Sequence, residues 1–216
     1  MPNISSFMQE AAILLVPLLL ALVCHEVGHG LVAYALGDPT AKNAGRLTLN
    51  PLKHLDPLGT IAFFLVNIGW AKPVPVDPRY FKNPQKGMLL VAMAGPGTNF
   101  VLAVLFALAF HLLASGALPL PQYVAEPLLY ISQAGVAVNL ILGVFNLIPV
   151  PPLDGSNIVA GLLPRSMAYR YMRLGRYGMF LIFGLFLISH FAHVSLLGAI
   201  LFPPVRFAAS LLGVPV

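Results

Sequence analysis

Long apolar stretches alternate with short polar or proline-rich segments along the whole chain. The apolar stretches are Phe7–Leu36, Gly87–Ala114, Pro127–Ile148 and Tyr177–Phe202. Each contains the roughly 20 residues that a helix needs to cross the hydrocarbon core of a bilayer. The last stretch is either one span or two spans broken near His190–Ser195, so the pattern predicts about 4–6 transmembrane helices.

Three shorter segments after the first apolar stretch predict a different structure. Arg46–Leu49 alternates polar and apolar residues, as a short strand does. Leu58–Trp70 is apolar but too short to cross the membrane, and basic residues flank it on both sides, so we expect it to dip in and return on the same side. The prolines of Ala71–Val76 exclude a helix and favour an edge strand. The predicted fold is an all-α polytopic membrane protein with a small membrane-dipping β region.

Composition and charge agree with a membrane protein. Hydrophobic residues make up 58% of the chain and charged residues 9%, whereas soluble domains carry about 25% charged residues. Residues 1–216 are predicted to form one domain. The isoelectric point near 9.6 could indicate nucleic-acid binding, but the basic residues lie beside apolar stretches, where the positive-inside rule expects them. We therefore expect Lys42–Lys86 and Arg165–Arg176 on the cytoplasmic side and no nucleic-acid partner.

The first apolar stretch contains the motif His25-Glu26-Val27-Gly28-His29. Positions i and i+4 of a helix share a face, so both imidazoles can bind one metal ion. Glu26 lies one step round the helix, where its carboxylate can take a proton from a water molecule that zinc activates. Ionisable groups are costly inside a membrane span and indicate a functional site. The alternative interpretation is a polar cluster that packs helices together.

A catalytic zinc site needs a third protein ligand and one open position. The candidate is Asp154, in the proline-rich loop Pro149–Asn157 that follows the third apolar stretch. If the first helix enters from the outside near Glu10, His25 lies about 22 Å into the membrane, and the topology places Asp154 near the same depth. An Asp in such a loop is more often a turn residue or a helix N-cap, so both interpretations stay open on these residues alone.

The chain resembles the site-2 proteases, a family of intramembrane metalloproteases. The segment His25–His29 matches their first motif, and Asn146–Gly155 matches their second, Asn-x-x-Pro-x-x-Pro-x-Asp-Gly. The segments Ala94–Asn99 and Gly69–Val76 are also similar to segments of the family. The PDZ-like insert and the appended regulatory domain of some members have no counterpart in this sequence.

The resemblance implies a set of site residues. Asp154 becomes the third ligand of one Zn²⁺ per chain, beside His25 and His29. Asn146 becomes a hydrogen-bond donor to the scissile carbonyl or the developing oxyanion, with an interhelical hydrogen bond as the alternative. For Asn99 and Asn139 we prefer that structural interpretation.

Four further residues are predicted to position a substrate. The segment that holds Lys72, Val74 and Val76 is expected to pair with an unwound substrate by strand addition. His54 precedes the membrane dip and is either a substrate-positioning group or a solvated loop histidine. The zinc-binding core is expected over about residues 7–163, and C-terminal helices over about residues 164–216.

The predicted function is hydrolysis of peptide bonds in the transmembrane segments of other membrane proteins. Its partners would be those substrates and the lipid bilayer, and its place the cell membrane of a prokaryote, with the active site toward the cytoplasm. The alternatives are a metal-binding membrane protein such as a transporter and an inactive relative that binds membrane partners. The sequence leaves the oligomeric state open.

Overall fold

Helices account for nearly all regular structure in the computed structural model, which describes residues 4–57, 59, 71–192 and 196–216. We number the helices of these residues α1 to α8. They are Ile4–Ala35 (α1), Thr40–Asn43 (α2), Pro84–Ala114 (α3), Gln122–Asn146 (α4), Asp154–Leu162 (α5), Arg165–Arg173 (α6), Gly175–Ala192 (α7) and Leu196–Leu211 (α8). Two short 3₁₀ helices cover Pro51–Lys53 and Pro78–Tyr80.

Three of these helices are long and apolar enough to cross a membrane. The candidate spans are Ile13–Ala35, Pro84–Ala114 and Gln122–Asn146, of 23, 31 and 25 residues. The all-α prediction is confirmed, while the number of 4–6 spans is not. The second span runs through Pro96 without a break, and membrane helices tolerate such prolines.

The predicted β region is reduced to one contact in the described residues. They contain no sheet, only an isolated antiparallel bridge between Leu55 and Ala71. The strand predicted over Arg46–Leu49 is wrong, because side chains rather than a partner strand occupy this stretch: an imidazole nitrogen of His54 lies 2.8 Å from the Thr48 carbonyl. The predicted membrane dip, Leu58–Trp70, lies outside the described residues except for residue 59.

The chain divides into two compact units, each built from separate sequence segments. The first comprises Met1–Ala21, Asn99–Phe145 and Phe180–Val216. Small and branched apolar residues form its core: Ala103, Ala107, Val136, Leu140, Val205, Ala209 and Val214. The amide of Asn99 donates to the side-chain oxygen of Asn139 at 3.0 Å, and both residues are fully buried. The preferred interpretation of this pair as interhelical hydrogen bonding is therefore confirmed.

The second unit comprises Leu22–Thr98 and Asn146–Met179. One of its apolar clusters joins Ala33 of α1 to Phe81 and Val91. The side chain of Gln85, at the start of α3, donates to the carbonyls of Ala160 and Leu163 at 2.7 and 2.6 Å. These carbonyls lie at the C-terminal end of α5, where a helix has no partners of its own. The contact therefore ties α5, whose first residue is Asp154, to α3.

Candidate metal centre

The two histidines of the first motif meet on one face of α1. Their Nε2 atoms lie 3.0 Å apart, and the rings stand nearly perpendicular, with centroids separated by 4.6 Å. His25 is buried, at 5% exposure. The helix forms here because the surrounding residues are apolar and the one glycine between the histidines does not interrupt it. The predicted i, i+4 geometry is confirmed.

Asp154 brings the third ligand atom to the same point. Its Oδ2 lies 3.1 Å from Nε2 of His25 and 3.2 Å from Nε2 of His29. Asp154 is the first residue of α5, after the N-cap Leu153. Burial alone would raise the pKa of this carboxyl, but its contacts with the two histidines outweigh that effect and lower the pKa below its usual range. The aspartate is therefore held in the ionised form that binds metals.

Gly155 allows the loop before α5 to close tightly. A side chain at this position would lie 2.5 Å from the carbonyl oxygen of Ile148 and closer still to that of Leu147. Gly155 is a helical residue, and its missing Cβ lets the start of α5 pack against the backbone of the preceding loop.

The orientation of His29 is fixed by a backbone carbonyl. Its Nδ1 lies 2.6 Å from the oxygen of Val91 on α3. Because a carbonyl only accepts, Nδ1 carries a hydrogen, and in the neutral ring this leaves Nε2 with a lone pair that faces the cluster. Metal-binding histidines commonly use such a contact to set their tautomer and ring orientation.

Two glycines allow α1 and α3 to approach closely at this point. A Cβ on Gly95 of α3 would lie 2.5 Å from Nε2 of both His25 and His29. A Cβ on Gly28 of α1 would collide with the hydroxyl of Thr98. Small residues serve this purpose in helix pairs of membrane proteins. The imidazoles therefore rest against bare backbone.

The residues present fit a zinc ion. Bonds of 2.0–2.1 Å to a tetrahedral zinc place its ligand atoms about 3.3 Å apart, and the three atoms here are separated by 3.0, 3.1 and 3.2 Å. Asp154 Oδ2 is buried, and none of the described groups forms a hydrogen bond with it. Two neutral nitrogens and a carboxylate oxygen form a donor set that zinc accepts. Among the described residues, the side chains of His25, His29 and Asp154 form the cluster whose ligand atoms lie close enough together to hold a metal ion.

Glu26 contacts the segment Lys72–Val76. Its Oε2 accepts a hydrogen bond of 2.7 Å from the backbone N–H of Val74. The N–H of Lys72 donates to the carbonyl of His54 at 2.7 Å, and the guanidinium of Arg46 donates to the carbonyl of Lys72 at 2.5 Å. The candidate base and the segment predicted to bind substrate are therefore joined directly.

The other predicted positioning residues have structural contacts. His54 is 1% exposed, so the prediction of a solvated loop histidine is wrong; its ring and its carbonyl hold two segments together. The side chain of Val76 packs against the cluster of Ala33 and its neighbours. Asn146 is the last residue of α4 and is partly buried, and its predicted role at the scissile carbonyl stays a prediction.

Three contributors to the site are absent from the sequence prediction. They are the Val91 carbonyl, the bare Cα of Gly95 and the capping amide of Gln85. Gly95 had a signal, since it belongs to the Ala94–Asn99 segment that resembles the family. A backbone carbonyl has none, because any residue type supplies one.

Relatives among curated protein sequences extend these observations. The pattern of peptidase family M50 matches residues 120–188. YwhC of Bacillus subtilis is 39% identical over 181 residues, which cover 80% of this chain and 79% of that protein. Rip2 of Mycolicibacterium smegmatis is 33% identical over 147 residues, which cover 63% of this chain and 52% of that protein, about half its length. No solved structure matches the chain significantly.

A further relative comes from an archaeon. MJ0392 of Methanocaldococcus jannaschii is 29% identical over 161 residues, which cover 73% of this chain and 36% of that protein. MJ0392 is named a zinc metalloprotease, and the names of YwhC and Rip2 propose the same activity for those proteins. The breadth of the match to YwhC decides the assignment: this membrane protein belongs to peptidase family M50, the site-2 proteases, and is a zinc metalloprotease.

Proposed function

We propose that the chain is an intramembrane zinc endopeptidase that cleaves transmembrane segments of other membrane proteins. In this proposal His25, His29 and Asp154 hold the metal and Glu26 is the general base. The observation that carries it is the convergence of three ligand atoms within 4.8 Å, two of them on a helix long and apolar enough to cross a membrane. A hydrolytic site at that place would reach peptide bonds that soluble proteases cannot.

Zinc bound at this site would supply a Lewis acid that polarises the scissile carbonyl and activates a water molecule. Protein side chains carry out the proton transfer and stabilise the developing charge. Glu26 takes the proton of the attacking water and later delivers it to the leaving amine. The N–H of Val74 holds one carboxylate oxygen of Glu26 and leaves the other for proton transfer. Asn146 donates a hydrogen bond to the oxygen on which charge develops.

The segment Lys72–Val76 is proposed to bind the substrate in extended form. The N–H and C=O of one strand residue point to the same edge. Lys72 uses both groups, and Val74 uses its N–H, toward His54, Arg46 and Glu26. One edge of the segment is therefore committed to the protein itself.

The opposite edge carries the backbone groups of Pro73 and Pro75. Prolines have no N–H, so this edge offers carbonyl acceptors and no donors. A substrate strand would pair by donating its own N–H groups to these two carbonyls. We therefore expect a substrate with N-methylated residues opposite Pro73 and Pro75 to be cleaved poorly, while methylation of the alternate residues should have little effect.

The charge pattern supports a site near the cytoplasmic face of a prokaryotic cell membrane. Basic residues cluster in Lys42–Lys86 and Arg165–Arg176, which the positive-inside rule places in the cytoplasm. His25 and His29 lie in the half of α1 that is nearer to the first basic cluster. Asp154 lies at the start of α5, shortly before the second cluster.

Cleavage of a model transmembrane substrate by the purified, zinc-loaded protein tests the proposal. Glu26→Gln keeps the shape of the side chain but removes the base, so we expect cleavage to fall by about 10²–10⁴-fold while the zinc content stays at one per chain. A chelator should abolish wild-type cleavage, and added zinc should restore it. Cleavage by the Glu26→Gln variant at the wild-type rate would contradict the role of Glu26 as the base.

The same experiment separates the alternatives. Zinc at one per chain without cleavage of any transmembrane substrate, combined with zinc uptake into vesicles, would favour a transporter. Well-folded protein that binds no zinc would exclude the proposed mechanism altogether.

A further inference from the structure

The helices after the metal-binding loop carry a strong positive charge. The segment from Gly155 to Val216 contains five arginines and no acidic residue. Three of these arginines line one cleft of about 320 Å³ together with two apolar or aromatic residues; its lining is Arg170, Arg173, Leu174, Arg176 and Tyr177. We call this the arginine cleft. Like charges gather there at a cost in repulsion, which a bound anion would remove.

Two of the three guanidinium groups of the cleft lie over aromatic rings. Arg173 lies over the ring of Tyr169, with 5.9 Å to its centroid, and Arg176 lies over the ring of Tyr177 at 5.7 Å. The Nε of Arg176 also donates to the carbonyl of Arg173. In the part of the chain that the structure describes, none of the three arginines forms a salt bridge. The faces of Arg173 and Arg176 therefore rest against aromatic rings, while most donors of the three arginines remain available.

The surroundings of the cleft indicate a membrane surface. The apolar side chains Met167, Leu174 and Met179 are each 54–56% exposed. Leu174 lines the cleft, and the two methionines belong to α6 and α7, the helices on either side of it in sequence. The strongly apolar helix α7 begins at the cleft. Arginine clusters at the end of an apolar helix attract anionic lipids, and a guanidinium forms paired hydrogen bonds with phosphate oxygens.

The same segment supports the loop that carries Asp154. The hydroxyl of Tyr171 donates to the carbonyl of Pro149 at 2.6 Å. The backbone at Gly178 lies so close to the carbonyl of Pro151 that any side chain there would collide with it. Both prolines belong to the loop just before Asp154. A ligand that steadies α6 and the start of α7 would therefore steady this loop.

We propose that the arginine cleft binds the phosphate of an anionic phospholipid and that the bound lipid stabilises the loop before Asp154. This site is separate from the metal centre, and its occupation does not depend on proteolysis. The apolar side chains around it are where the acyl chains would lie, which favours a lipid over a free phosphate ion.

Native mass spectrometry of the detergent-purified protein with added dioleoyl phosphatidylglycerol tests the binding. Each surface arginine contributes about fivefold to the affinity for anionic lipid, so Arg170→Gln, Arg173→Gln and Arg176→Gln together should weaken binding by at least about tenfold. The matched control is Lys53→Gln, Lys82→Gln and Lys86→Gln, which removes the same charge from exposed positions elsewhere. Equal loss in both triple variants, or no loss in either, would overturn the proposal.

Two comparisons define the ligand. Dioleoyl phosphatidylcholine should bind at least about tenfold more weakly than the anionic lipid, because its headgroup has no net charge. Inorganic phosphate should displace no more lipid than chloride does at equal ionic strength. Displacement by phosphate alone would show a site for free anions and overturn the assignment to a lipid.

Hydrogen exchange tests the coupling to the loop. Phosphatidylglycerol should slow exchange in peptides that cover residues 148–154 of the wild type and leave it unchanged in the triple arginine variant. Tyr171→Phe should still bind the lipid but lose most of the lipid-dependent protection. If phosphatidylglycerol does not change hydrogen exchange in these peptides of the wild type, the coupling is refuted. If the Tyr171→Phe variant shows the same lipid-dependent protection as the wild type, the route through Tyr171 is refuted.

Discussion

Gly95→Ala should damage the metal centre without touching any ligand. The added Cβ would lie 2.5 Å from Nε2 of His25 and from Nε2 and Cε1 of His29. Ordinary contacts of a Cβ begin near 3.4 Å. The two rings therefore have to retreat by roughly 0.9 Å, which exceeds the roughly 0.5 Å within which a functional site must be held.

The expected loss of zinc affinity can be estimated from known substitutions of groups that orient metal ligands. Loss of groups that orient a ligand lowers metal affinity by about 10–100-fold, which corresponds to about 1.4–2.7 kcal/mol. Displacement of two ligands at once should place Gly95→Ala at the upper end of this range. The same substitution improves helix propensity by about 0.5–1 kcal/mol, so a loss of affinity cannot arise from a weaker helix.

Competition with a chelator of known affinity measures zinc binding by the purified variants. Gly97→Ala is the matched control, since it lies two residues away on α3 and its Cβ would have no neighbour within 4 Å. We expect Gly97→Ala to bind zinc as the wild type does. Wild-type zinc affinity in Gly95→Ala would refute the reasoning that the rings rest against bare backbone.

A double-mutant cycle keeps the prediction testable if Gly95→Ala folds poorly. In zinc-free protein, the destabilisation by Gly95→Ala should be smaller when His29 has been replaced by alanine, because one of the two colliding rings is gone. Equal destabilisation in both backgrounds would show that the clash lies elsewhere.

Three other contacts give predictions outside the metal ligands. Gln85→Leu removes the donors to two helix-end carbonyls, so it should lower the free energy of unfolding by about 1–3 kcal/mol, measured by denaturation in detergent, and also weaken zinc binding. Asn139→Leu should cost a similar amount because the buried amide of Asn99 loses one of its acceptors, whereas replacement of both asparagines by leucine should cost less than the sum of the single changes. The Arg79 guanidinium holds the pKa of Asp77 below its usual range. Arg79→Gln should raise that pKa in an NMR titration, and the stabilisation from this pair should be lost as the pH falls through the folded-state pKa of Asp77.

The sequence predicted that the two histidines lie together because helix geometry is regular. His25 and His29 had to share a face once α1 was predicted, and the apolar surroundings of α1 made that prediction secure. Asp154 was different. Its loop suggested a turn or cap equally well, and the resemblance to the site-2 proteases selected the ligand role that the geometry now supports.

Two predictions were wrong, the strand over Arg46–Leu49 and the solvated interpretation of His54, and both involve the His54 side chain. The alternation in Arg46–Leu49 is typical of a strand, but a strand also needs a partner, and the Thr48 carbonyl is occupied by the ring of His54. The burial of His54 could not be read from its polar neighbours, because burial depends on segments that are distant in sequence.

Backbone atoms orient two side chains of this site, His29 and Glu26. The Val91 carbonyl sets the tautomer of His29, and the Val74 N–H holds Glu26. Each contact therefore orients a candidate site residue through a backbone group rather than a side chain. Substitutions at Val91 and Val74 that keep the backbone and the apolar packing in place should therefore preserve zinc binding, whereas a Cβ at Gly95 should weaken it. At Val91 and Val74 a backbone group orients the site, and at Gly95 the absence of a Cβ leaves room for the two imidazoles.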